Sequence, residues 1–213
     1  MATVLKFRSD ASEKLILAAE SLFAKGGFES VSLREIAATA GQKNHHAVQY
    51  HFGSREGLVS AIFRYRMSQM EGRRGEMLAA AKSAGRVEDA RTLIEVIFLP
   101  QLALPGQHGN HSYANFLCQY LLRNESRSFG DFGAELPRNI AQALVLLRAR
   151  LDFLPEAIAQ RRLVTACFMF LNMLSAYSDD RLRDADDETF EQAIDDTLDQ
   201  IVTATVMPLG ASH

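Results

Sequence analysis

Apolar positions along the chain recur at spacings of three and four residues, broken by Gly, Pro and short polar clusters, and no alternating run long enough for a strand occurs. The pattern predicts an all-α protein of about nine helices. Leu15, Ala18, Ala19, Leu22 and Phe23 define a first helix from an Asp10/Glu13 capping pair to Gly26-Gly27. Ser32 stands three residues before Glu35, the reciprocal cap of a second helix that carries Ile36, Ala37 and Ala40 and is ended by Gly41. Asn44 is the expected N-cap of a third, with Val48 and Phe52 turned inward and His46, Gln49 and Tyr50 on other faces. Two short helices joined by a Gly turn, the second polar on its outer side, form a candidate helix-turn-helix over Ser32 to Phe52.

The rest of the chain continues in helices. Ser54 caps a long fourth helix through Leu58, Ile62, Phe63, Tyr65, Met67, Met70, Met77 and Leu78 to about Ser83, with Gly72 and Gly75 marking a bend or a small-residue contact. Ala90, Leu93, Ile94, Ile97 and Phe98 make a fifth helix, kinked by Pro100 and ended by Pro105-Gly106. His111 to Arg123 is a sixth, and 124–136, with Phe129 and Phe132, is a loop or broken helix. Pro137 opens a seventh through Ile140, Leu144, Leu147 and Leu151. Pro155 opens an eighth, and Asp186 caps a ninth carrying Phe190, Ile194, Leu198, Ile201 and Val202. The acids Asp184, Asp186, Asp187, Glu188 and Glu191 suit a helix N-terminus, where the macrodipole favours them.

Composition narrows the function. A chain of 213 residues with 47% hydrophobic positions can bury a full core. The net charge of −3 argues against coating nucleic acid by bulk charge, but the first sixty residues carry +1 and the remainder −4. Cys118 and Cys167 are far apart in apolar stretches and read as buried thiols of a reducing compartment, so the expected location is cytoplasmic. Leu163 to Tyr177 is the longest apolar stretch, too short to cross a bilayer, and the N-terminus has no leader pattern, so no membrane is involved. No Gly-rich phosphate loop or nucleophile elbow occurs, which leaves an enzyme without residues to carry a reaction. His45 or His46 with His51, and His108 with His111, lack the third and fourth ligands of a metal site, so neither a metal nor another cofactor is expected.

The phrases ILAAESLF from Ile16, GGFESVSLREIA from Gly26, Ala40-Gly41 and YHFGSREGL from Tyr50 together resemble the DNA-binding region of the tetracycline-repressor (TetR) family. The resemblance covers about a quarter of the chain, from Asp10 to Leu58. Between Ala40-Gly41 and the YHF phrase the chain is one residue longer than the commonest family form, so roles at residues 42–47 are not carried over one for one. Residues 1–9, polar and basic through Lys6 and Arg8, read as a flexible arm, and the resemblance implies a helix-turn-helix domain over 10–53 and a helical effector-binding and dimerisation domain over 54–213.

By chemical type, Gln49 can pair with adenine in two hydrogen bonds, and His45 or His46 can donate to guanine N7 or O6. Ser32, Lys43, Asn44, Tyr50, His51 and Arg55 are the phosphate candidates, by type and by resemblance. The family's enclosed effector makes Met67, Met70, Phe98, Tyr113, Phe116, Gln119, Tyr120, Phe168 and Asn172, with Asn115, candidates for a mostly apolar pocket, although packing alone also explains the apolar members. The family's terminal four-helix bundle makes Leu163, Phe170, Leu174, Phe190, Ile194, Leu198 and Ile201 candidates for a homodimer interface. The expected protein is a repressor that leaves double-stranded operator DNA, with two-fold related half-sites, when a small, largely apolar effector binds. A regulator that needs its ligand to bind DNA, or a ligand-free helical DNA-binding adaptor, uses the same parts; a helical enzyme ranks last.

Overall fold

The computed structural model describes residues 10–104, 111–124, 135–178 and 188–209. Expectations for the arm at 1–9, Pro105-Gly106, His108, Phe129, Phe132, and Asp184, Asp186 and Asp187 lie outside the described residues. Within them the chain is all-helical: α1 (Asp10–Gly26), α2 (Leu33–Thr39), α3 (Ala47–Phe52), α4 (Arg55–Ser83), α5 (Ala90–Phe98), α6 (Ser112–Asn124), α7 (Arg138–Ala149), α8 (Glu156–Ser178) and α9 (Phe190–Val206).

Local chemistry sets most of these boundaries. Ser32 and Glu35 form both bonds of the capping box at α2, and Gly41 at φ 69° lets the chain leave the end of that helix. Ser54 Oγ accepts from the Gly57 amide to start α4, and Asp89 accepts from the Thr92 amide at 2.8 Å to start α5. Hydrogen bonding to the Thr92 hydroxyl and amide holds the Asp89 carboxyl below its ordinary pKa, so this cap persists in moderately acidic solution.

Several expected boundaries need correction. Asp10 is already helical and bonds Lys14 at 2.6 Å, while Glu13 accepts from the Tyr65 hydroxyl, so the two do not cap α1. Asn44 is not the N-cap of α3. His46 holds that position, and Asn44 Oδ1 instead accepts from the His46 amide at 2.9 Å in a side-chain turn before the helix. The cap of α9 is Thr189, in a capping box with Gln192, rather than Asp186. Beyond α5, Pro100 lies in a 3-10 turn, Leu99–Ala103, whose tighter bonding tolerates its missing amide.

α4 is roughly 43 Å long at about 1.5 Å per residue and is buried on different sides along its length: by α1 and α3 near its start, and by α5, α7 and the 3-10 turn beyond. Gly75 meets α7 there, because a Cβ at this position would lie 2.8 Å from Asn139 Nδ2. Glu71 fixes the same contact by accepting from the Asn139 amide at 2.6 Å.

A single cluster of buried side chains runs from α1 to α9 and crosses the expected boundary at residue 53. The crossing is made by α6, which lies along α1. Phe23 and Phe28 stack at 4.6 Å, and Phe116 and Tyr120 of α6 reach Phe28 and Phe63 at 5.5 and 4.7 Å. Beside these rings Arg66 of α4 holds Glu20 of α1 by two bonds, 2.6 and 2.8 Å, with the side chains 2% and 1% exposed. Ser112 of α6 donates to the same carboxylate at 2.6 Å.

At the other end α8 and α9 pack on each other, on α5 and on α6. Arg91 of α5 bonds Asp195 and Asp199 of α9, and Arg162 donates to the carbonyls of Thr205 and Met207 at the end of α9, where unpaired carbonyls favour a cation. This packing corrects the expected dimer residues: Leu163, Phe170, Leu174, Leu198 and Ile201 are buried within the chain itself, and only Phe190 and Ile194 of that set are half-exposed.

Because the Arg66–Glu20 pair is fully desolvated, removing one partner strands the other. Glu20→Ala is expected to cost about 3–5 kcal/mol in denaturant unfolding, whereas joining it to Arg66→Met should restore much of the loss.

Candidate nucleic-acid interface

The three N-terminal helices hold α3 by its inner side. Ala47 and Val48 are buried against a core that includes Leu15, Ile16, Ala19, Ile36 and Ala37. The helix has six residues and relies on this packing, since so short a segment is unstable alone. His51 adds a tie to α1 through its Nδ1, 3.1 Å from Ser12 Oγ.

The turn between α3 and α4 is fixed by two glycines. Gly53 has φ 76°, which favours a residue without Cβ. At Gly57 a Cβ would lie 2.0 Å from the Phe52 carbonyl oxygen, so the first turn of α4 passes directly over the end of α3. The sequence places Gly57 inside the YHFGSREGL phrase, but its steric role becomes legible only when the two helices are brought together.

The outer side of this unit is polar and open. His45, His46 and Gln49 are exposed, as are Ser32, Lys43 and Asn44. Tyr50 is 82% exposed, an unusual state for a tyrosine with no partner surface. These candidates lie on one segment from the α2–α3 turn through α3, with Ser32 at the start of α2.

Arg55 differs from the others. Its Nη1 donates to the Phe28 carbonyl at 2.6 Å and its guanidinium lies 5.7 Å from the Phe23 ring centre, so it is half-buried and ties α4 to the α1–α2 connection. His51 is likewise half-buried.

The model of the bacterial regulatory proteins, tetR family, matches residues 15–62, from within α1 into α4. Residues 15–62 are thus those of a tetR-family DNA-binding domain. That match spans α2 and α3, so the helix-turn-helix is the DNA-binding unit of this domain. No curated protein matches the chain. Among solved structures it is similar to AibR in complex with isovaleryl coenzyme A and operator DNA, with 19% identity and a TM-score of 0.44 over 94% of this chain and 100% of that one.

The remaining candidates, beyond the matched domain, are distributed as follows. Met67, Met70, Phe98, Tyr113 and Phe116 are buried, and Tyr120, Phe168 and Asn115 are half-buried. Gln119 and Asn172 are exposed and do not join them, Gln119 lying instead beside Gly27 at the end of α1. Among the described residues no group of three or more His, Cys, Asp or Glu could hold a metal ion, and no helix is long and apolar enough to cross a membrane.

These environments separate the expected effects of substitution. Gln49→Ala should relax sequence preference, while Lys43→Ala should weaken binding to every sequence and lower the salt slope by about one. Arg55→Met should lower the melting temperature as well as DNA affinity, because it breaks the bond to Phe28. Binding titrations at several salt concentrations with parallel melts measure all three; identical behaviour of the Gln49 and Lys43 variants would contradict the division into base and phosphate contacts.

Proposed function

We propose that the chain is a homodimeric, cytoplasmic repressor that binds two-fold related operator half-sites and is released by a small, largely apolar effector held among its C-terminal helices. The observation that carries the reading is the exposed polar face of α3, with Gln49 and Tyr50 outward while Ala47 and Val48 are locked in the core. In this reading Gln49, His45 and His46 meet base edges, and Ser32, Lys43, Asn44, Tyr50, His51 and Arg55 position the backbone.

Dimerisation is supported by the outer side of α8. Val164, Phe168 and Met169 are half-exposed there beside Ser175 and Ala176, an apolar and small surface suited to helix-on-helix packing. The outer side of α9, with Asp196, Gln200 and Thr203, is polar. A symmetric pair would present two α3 helices, which suit half-sites about 34 to 36 Å apart or a multiple of that.

Coupling is supported by the way α6 shares a core and a buried ion pair with α1. An effector that favours the spacing unable to bind DNA would shift the population toward it, and α6 and α4 would carry α1 and the reading helix along.

Selection of random DNA by the purified protein tests the reading. Retained fragments should share an inverted repeat, with one dimer bound per site. Retention without a common sequence would contradict specific recognition, and a single asymmetric half-site would contradict the dimer.

A further inference from the structure

Two arginines of α4 are equally buried, 2% exposed each, and they are treated differently. Arg66 has Glu20 as a two-bond partner. Arg74 has no ion pair among the described residues. Its Nη1 and Nη2 contact the thioether sulfurs of Met67 and Met70 at 3.6 and 3.4 Å, Nη2 also reaches the Ile97 carbonyl at 3.4 Å, and Nε has no partner. Thioether sulfur is a weak acceptor, and 3.4 Å is long for a guanidinium bond.

Other polar groups nearby are also left open. The Tyr113 hydroxyl is buried without a partner, and the Arg74 charge acts on it electrostatically. The Gln101 amide nitrogen, one turn beyond Ile97, is buried and unpartnered too. Glu71 also acts on Arg74; its Oε1 accepts from the Asn139 amide, and its Oε2 is buried without a partner and makes no bond to the guanidinium. Burial lowers the Arg74 pKa, yet an arginine stays protonated in such surroundings. The result is a guanidinium with donors to spare, offset only at a distance by Glu71, in a region of Met and aromatic side chains.

We propose that Arg74 anchors the anionic head of the effector, and that the effector is therefore an amphiphilic organic acid: a carboxylate on the guanidinium, with an apolar body among Met67, Met70, Phe98 and Phe116. This rests on the effector-binding reading above and sharpens it. A carboxylate matches the planar fork of a guanidinium in two parallel bonds. An isolated inorganic anion would leave the surrounding apolar surface unused. Met67 and Met70, which now stand in for the missing acceptor, are the most adaptable of apolar side chains and can swing aside to admit the ligand.

Full-length protein titrated with 11-(dansylamino)undecanoate and with its methyl ester, followed by dansyl fluorescence, tests the assignment. Wild type should bind the acid about tenfold or more tightly than Arg74→Met does. Arg74→Lys should fall between them, and the ester should bind both proteins alike. Without ligand, Arg74→Met combined with Glu71→Gln should melt at or above the wild-type temperature, because the pair of substitutions removes a buried guanidinium without leaving a buried carboxylate behind. No saturable binding of the acid, equal binding by Arg74→Met, or a large fall in the double variant's melting temperature would each overturn the proposal. Arg74-dependent binding that leaves operator affinity unchanged would support the anchor and refute the effector reading. Release of DNA by the ester alone would preserve that reading and overturn the anionic class.

Discussion

The position of the reading helix depends on one desolvated ion pair and the rings around it. Glu20, Arg66 and Ser112 come from α1, α4 and α6, and none of the three helices can slide without breaking a charged bond that no water can replace. Phe23, Phe28, Phe63, Phe116 and Tyr120 close the same junction with interlocking rings. α3 is then fixed by its own inner side chains and by Gly57, over which no side chain fits. In the proposed mechanism a displacement of α6 or α4 would therefore reach α3 as a displacement of the whole N-terminal unit. Packed cores respond in this discrete way because they have little free volume to absorb strain.

α4 uses its two buried arginines for opposite purposes. Arg66 is compensated within the chain and welds the helix to its neighbours. Arg74, two turns further along and facing α5, is left with sulfur and a distant carbonyl. A helix that is rigid at one point and electrostatically incomplete at another is suited to carry a binding event from its second half to its first.

Much of this was legible in the sequence. The capping box at Ser32 and Glu35, the Gly41 turn, the Ser54 start and the length of α4 all follow from local backbone chemistry, which residues a few positions apart decide. The exposed residues of α3 followed from the same periodicity. Asn44 and Asp186 were misplaced as caps because His46 and Thr189 depend on how the preceding loop enters the helix. Leu163, Phe170, Leu174, Leu198 and Ile201 were assigned to a partner because α8 and α9 carry more apolar surface than one helix face needs; the chain's own α5 and α6 cover it. Gly57, the half-buried state of Arg55 and the contrast between Arg66 and Arg74 are long-range facts. No pattern within a single helix reveals which acid, if any, an arginine will meet.

The claim that matters most is that the C-terminal helices and the reading helix move as a coupled unit in a two-fold dimer. A spin label at the exposed Ala38 of α2, placed as Ala38→Cys, reports the separation of the two N-terminal units by electron-electron dipolar spectroscopy. With operator DNA the account predicts one narrow distance, replaced by a distinct second distance when a compound that releases DNA is added. An unchanged distribution under both conditions, or no dipolar signal at all, would contradict it.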